Sequence, residues 1–184
     1  QMKTLRWLMT ATLALLVLAA PALAQYSEIE EDPLVPAVAQ FYGFETVQVV
    51  TGMQNVRDAD DLLVTMFMAN ASGTSPIEIN EMRKQSKSWQ QIAQELKLSP
   101  DLFFQDIRSI YIPPQYNTYA WAQRKYQAWK KDPRGGLPLY DKNFRQLVGL
   151  DFVVRRFKMQ PLDAMQARSY VKTYCDLIEK KLAK

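Results

Sequence analysis

Histidine is absent from the 184 residues, and cysteine occurs once, at Cys175. Without an imidazole there is no Ser-His-Asp or Cys-His catalysis and no histidine general base, and nearly every protein-ligated zinc site is excluded. A single thiol excludes an intramolecular disulfide. Six glycines, two of them adjacent at Gly135-Gly136, leave no glycine-rich phosphate loop. Beyond residue 24 no apolar run is long enough to span a bilayer. Neither sign of charge dominates: 23 Lys and Arg stand against 19 Asp and Glu, a formal net charge of +4. A balance this slight does not by itself point to nucleic acid or to a membrane surface.

What is present begins with residues 2–24, which read as a secretion signal. Lys3 and Arg6 form the positive start, Trp7 to Ala20 a mainly apolar, uncharged core, and Ala22-Leu23-Ala24 puts small residues at −3 and −1. The pattern predicts cleavage after Ala24, a working chain from Gln25, and a periplasmic or secreted location. No cysteine marks a lipid anchor there, and no stable membrane insertion is expected after cleavage. Loss of Lys3 and Arg6 lowers the net charge from +4 to +2. About 160 residues remain, enough for one domain with its own core or two small lobes.

From Pro33 onward the apolar spacing is helical and long alternating patterns are missing. The expected fold is all-α: a compact bundle of short helices joined by repeated tight helix-turn-helix corners. The corners are expected around Gly43, Gly73, Lys97 and Lys158. Each comes after a large apolar residue paired with a small or β-branched one: Val38-Ala39, Met68-Ala69, Ile92-Ala93 and Val153-Val154. Each has a residue able to turn left-handed, glycine without penalty and lysine at some cost. Ser75-Pro76, Ser99-Pro100 and Gln160-Pro161 then offer an N-cap and a proline in the first helical position. The irregular spacing excludes a fixed-period solenoid and leaves an internal repeat by old duplication or a recurrent favoured corner.

Further helix starts are expected at Asp58, at Ser88 with Gln91 as a capping box, and at Asp141. A C-terminal helix is expected from Pro161, with Val171, Tyr174, Cys175, Ile178 and Leu182 on one stripe and Lys180, Lys181 and Lys184 at its negative end. The expected organisation is a signal (1–24), an acidic disordered segment (25–32), an N-terminal helical lobe (33–112), an aromatic and basic connecting helix with a Pro/Gly loop (113–138), and a C-terminal lobe (139–184).

The densest aromatic stretch lies between Pro114 and Pro133. The candidate partner-binding surface is Tyr116, Trp121, Arg124, Lys125, Trp129, Lys130 and Lys131, since aromatic faces beside cations stack on sugars or hold a peptide partner. Tyr119, Ala122, Tyr126 and Trp129 recur at i, i+3, i+7 and i+10, which equally describes a buried helix face. Among the acids, Asp58, Asp60 and Asp61 read as first-turn carboxylates meeting free helix N–H groups. Asp151, if buried, needs Arg155 one turn on. Cys175 sits on an apolar stripe and reads as a buried structural thiol. No catalytic residue, metal ligand or cofactor site is identified.

Ser88-Trp89-Gln90-Gln91-Ile92-Ala93, the turn near Lys97, then Leu98 and Phe103 resemble the DNA-binding helix-turn-helix. The reading segment, however, is Pro100-Asp101-Leu102-Phe103-Phe104-Gln105-Asp106, with acids and phenylalanines where a groove reader needs Arg, Lys, Asn or Gln. No nucleic-acid partner is expected. The same stretch, with Leu102 and Tyr111-Ile112-Pro113, also resembles part of a LysM peptidoglycan-binding module, although Asn80 to Lys87 lacks that family's opening Gly-Asp-Thr. Over most of the chain, Gln40-Phe41-Tyr42-Gly43, Ser88 to Ala93 and Asp141 to Arg168 are similar to a family of uncharacterised exported bacterial helical proteins. That resemblance implies an all-helical fold and no activity.

The functional expectation is an exported, non-catalytic interaction or structural module whose partner is another envelope protein or a second copy of itself. One alternative is a cell-wall glycan binder using Trp89, Tyr116, Trp121 and Trp129. The other is a carboxylate-dependent envelope enzyme, which needs two acids facing one cleft.

Overall fold

The computed structural model describes residues 32–53 and 58–183. The expected signal (1–24) and nearly all of the acidic segment (25–32) lie outside the described residues. Among those described the fold is all-α, with no strand. In chain order the helices are α1 (Leu34–Tyr42), α2 (Thr46–Met53), α3 (Asp60–Ser72), α4 (Pro76–Lys84), α5 (Trp89–Glu95), α6 (Asn117–Lys131), α7 (Asp141–Phe157), α8 (Pro161–Arg168) and α9 (Tyr174–Leu182). Short 3-10 turns occupy Pro100–Phe104, Pro114–Tyr116 and Pro133–Gly135.

Helix stops are set by backbone chemistry. Gly43 (φ 75°) ends α1 and donates its N–H to the Ala39 carbonyl at 2.9 Å; Phe44 N–H reaches the same oxygen at 3.0 Å. Gly73 (φ 73°) ends α3 in the same left-handed region. Lys97 and Lys158, both at φ 55°, do so after α5 and α7 despite the clash a Cβ meets there. The chain restarts differently after each stop. Ser75 caps α4 through a full capping box with Glu78, whereas Ser99-Pro100 opens only a 3-10 turn, and Gln160 makes no side-chain cap. Ser86 (φ 64°) is a further left-handed residue, between α4 and α5.

α3 and α7 form the centre. In α3 every residue from Asp60 to Ala69 is buried, so this helix is apolar nearly all round and sits inside rather than on the surface. α7 packs along it with Phe144, Leu147, Val148 and Phe152. Residues 33–112, 113–138 and 139–184 all contribute to a single core that runs from Leu34 in α1 to Ile178 in α9. Gly149 is what lets α9 approach: a Cβ there would lie 2.2 Å from Cδ2 of Tyr174.

The C-terminal segment is two helices rather than the one helix expected from Pro161. α8 stops at Ser169 and α9 starts afresh after Thr173, whose hydroxyl and Asp176 form a capping box. Arg168 closes the intervening turn by donating to the carbonyls of Val171 and Lys172. Val171, expected on the helical stripe, therefore lies in the turn. The periodicity continued across the break because apolar residues flank both sides of it.

Candidate functional site

The acids at the start of α3 hold distant parts of the chain. Asp58 behaves as expected, accepting the Asp60 N–H at 3.0 Å. Asp60 and Asp61 do not serve the N–H groups of their own helix. Asp60 accepts the N–H groups of Tyr174 (3.0 Å) and Cys175 (2.9 Å), so it caps α9 across 114 positions of sequence. Burial pushes its carboxyl above the usual range, against the pull of those two N–H groups. Asp61 accepts from Trp89 Nε1 at 2.8 Å and Arg145 Nε at 2.6 Å. Asp141 accepts the Trp89 N–H at 2.9 Å and pairs with Arg83 at 3.0 Å, while the Arg83 guanidinium lies 4.4 Å from the centre of the Trp89 ring. Trp89 is fully buried inside this network, which rules it out as a sugar-stacking residue.

Asp151 is 4% exposed and has the expected partner, Arg155 Nη1 at 3.4 Å. Burial, reinforced by the nearby Asp106 carboxyl, pushes its pKa up to about 7. The Cys175 thiol is buried and donates to the Ala59 carbonyl at 3.2 Å, and burial pushes its pKa well up. It is a structural thiol, because the reactive form of cysteine is the thiolate.

α6 divides the aromatic stretch. Its 3-10 lead-in at Pro114–Tyr116 turns Tyr119, Ala122 and Tyr126 into the core, where Tyr126 stacks on Phe104 with centroids 4.3 Å apart and planes at 11°. The helical period then leaves Trp121, Arg124 and Lys125 off that face. Trp121 stacks against Tyr140, in the turn before α7, at 5.6 Å and 24°. Tyr140 is nonetheless 61% exposed. Lys125 Nζ stands 5.7 Å from the Trp121 ring centre.

This pair walls a cleft of about 430 Å³ between α6 and the start of α7, shared with Arg124, Lys142 and Asn143. A second cleft of about 160 Å³ continues it past Asn117 and Thr118 to Tyr116, Gln146 and Arg168. Together they make one groove. Asn143 is 1% exposed; its Oδ1 accepts the Tyr140 N–H at 2.9 Å, and its Nδ2 has no hydrogen-bond partner. Gln146, three residues on and so on the same side of α7, has a buried Oε1 that is also unpartnered.

Of the residues expected to form a binding surface, Tyr116, Trp121 and Arg124 line this groove and Lys125 covers one of its rings. Trp129 stacks on Tyr126 instead (6.0 Å, 29°), Lys130 pairs with Asp101 at 3.3 Å, and Lys131 is exposed beyond them. The sequence reading missed Tyr140, Lys142, Asn143, Gln146 and Arg168. The one local signal was Asn143 three residues after Tyr140, half of a capping box that starts α7 one residue from the expected Asp141. No protein-family model matches the chain, and comparison with curated proteins and with solved structures finds no match.

Proposed function

We propose that the chain is a non-catalytic interaction module of the bacterial cell envelope, exported by residues 2–24, with the Trp121–Tyr140 groove as its recognition face. The observation that supports this best is a half-exposed aromatic wall, Trp121 against Tyr140, beside the two cations Arg124 and Lys142. The buried carboxylates among the described residues speak against hydrolytic chemistry. Asp60 holds backbone, Asp61 holds Trp89 and Arg145, and Asp151 holds Arg155. Asp60 and Asp61 are committed to the fold and Asp151 is only 4% exposed, whereas a catalytic pair has to face substrate.

The ligand is a second copy of the chain, another envelope protein or a cell-wall glycan. Affinity capture from envelope extract, run with the wild type and with the Trp121→Ala, Tyr140→Ala double variant, separates these from a chance cleft. Capture or self-association should be present in the first and lost in the second. A wild-type monomer that retains nothing refutes the reading. The glycan alternative keeps Tyr116 and Trp121, which line the groove, as its remaining aromatic candidates. Failure to co-pellet with purified peptidoglycan removes it. Export itself is checked by the mass of the protein recovered from cells, expected to begin at Gln25.

A further inference from the structure

We propose that the outer face of α6 docks on an anionic phospholipid surface without entering the bilayer. Its contacts are Arg124, Lys125 and Lys131, joined by Lys142 from the start of α7. This goes beyond the reading of the Trp121–Tyr140 groove as a recognition face and does not depend on it.

The helical period builds the face. Tyr119, Ala122 and Tyr126 turn inward, so Arg124, Ala128 and Lys131, at i, i+4 and i+7, share the outward side with Lys125 next to them, all exposed. Arg124 and Lys142, which is exposed as well, line the same cleft, and this puts the start of α7 beside the stripe. Arg124 and Lys131 stand about 10 Å apart along the helix axis. α6 itself has no acidic residue. The acids that adjoin the face are already matched: Asp101 with Lys130 at 3.3 Å, Asp132 with Arg134 at 2.8 Å and Asp141 with Arg83 at 3.0 Å. Among the described residues, none of the four cations is within ion-pair distance of an acid.

Folding thus sorts charge in a way the composition conceals. Four uncompensated cations stand on one side of a chain whose net charge from Gln25 onward is +2, so the remainder is net negative. Such a side repels itself in the free protein and is relieved by an opposing surface. Shape decides which surface. A site for a single anion converges its cations, whereas here only Arg124 and Lys142 share a cleft, and Lys125 and Lys131 project from a convex helix. A peptide partner needs an apolar anchor, but Ala128 is the one apolar residue on the stripe from Arg124 to Lys131, and Trp121, a turn earlier, lies against Tyr140. Phospholipid head groups present charge spread over a plane, which suits spread cations, each contributing about fivefold in affinity. Docking is peripheral, since no helix among the described residues is long and apolar enough to cross a membrane.

The test is co-sedimentation of the chain recovered from cells with vesicles of phosphatidylglycerol and phosphatidylcholine in equal parts, beside vesicles of phosphatidylcholine alone. At low salt the chain should pellet with the first and not with the second. Salt at about 0.5 M should release it, because the Debye length then shrinks to about 4 Å. The Arg124→Gln, Lys125→Gln, Lys131→Gln triple variant should bind about a hundredfold more weakly, the product of three fivefold steps. A Lys172→Gln, Lys180→Gln, Lys181→Gln variant removes as much charge from the C-terminal segment and should stay within about threefold of wild type. Helix content by circular dichroism should match wild type in both. The Trp121→Ala, Tyr140→Ala variant should still pellet, so vesicle binding and envelope capture fail independently. No pelleting with the anionic vesicles, or equal pelleting with both kinds, overturns the proposal. Equal weakening by the two triple variants overturns the placement on α6. Hexaglutamate held more tightly than the anionic vesicles, per accessible charge, assigns the face to an acidic protein and overturns the lipid surface.

Discussion

Replacing Asp151 by asparagine tests whether this acid is carried in α7 at the expense of stability. The carboxyl is 4% exposed, and its cationic partner Arg155 is itself more than half exposed, so the pair is half solvated and half buried. Burial first, then the Asp106 charge, raises the pKa from 3.8 to about 7, a displacement of roughly three units. The folded state therefore holds this proton more tightly than the unfolded chain does. The resulting stability is fully present below about pH 4 and is lost as pH rises through about 7. At 1.36 kcal/mol per unit the ceiling is about 4 kcal/mol. Asp106, whose pKa burial also raises, shares that proton, so about 2–3 kcal/mol is the working expectation. Asparagine keeps the shape and cannot ionise, and Arg155 remains in contact with water. Asp151→Asn should thus match wild type near pH 4 and exceed it by about 2–3 kcal/mol at pH 8. Urea unfolding followed by far-UV circular dichroism between pH 4 and 8 measures both curves. A variant less stable at pH 8, or one whose pH curve runs parallel to wild type, refutes the reasoning.

Gly149→Ala drives a methyl to 2.2 Å from Cδ2 of Tyr174 and should cost about 3 kcal/mol or more, read as a lowered melting temperature; an unchanged melt means α9 does not pack there. Asp60→Ala strips the cap from two buried amides and should cost about 2–4 kcal/mol. Hydrogen exchange at Tyr174 and Cys175 should accelerate selectively, and retained protection there contradicts the capping role. Asp61→Ala leaves the Trp89 indole and Arg145 without their shared acceptor, at a cost of about 3–5 kcal/mol in urea unfolding. Lys97→Gly removes a Cβ from φ 55° and should raise stability by up to about 1 kcal/mol, whereas a loss would place the turn elsewhere.

Local chemistry made the helices legible and tertiary chemistry did not. Ser88 with Gln91, and left-handed stops at Gly43, Gly73, Lys97 and Lys158, depend on a few neighbouring residues, so a reader of the chain sees them. The break between α8 and α9 was hidden because apolar residues continue the helical period across it, although Thr173 with Asp176 is a local capping box; the tie of Asp60 to the same helix start is not local and could not be read. The same holds for Asp61, whose partners lie 28 and 84 positions away. In the aromatic stretch the period separated Tyr119 and Tyr126 from Trp121, but it could not announce Tyr140, Asn143 and Gln146. Those lie across a Pro/Gly loop on another helix, and only packing brings them beside α6.

The tie between Asp60 and the amides of α9 has a bearing on how the chain reaches its final state. The buried Asp60 carboxylate is compensated only when the nine-residue α9 is in place. The core around α3 therefore closes only once α9 docks, a pairing that spans 114 positions of sequence. Truncation before Thr173 would strand a desolvated acid in the innermost helix and expose the whole molecule to proteases, not merely trim its end.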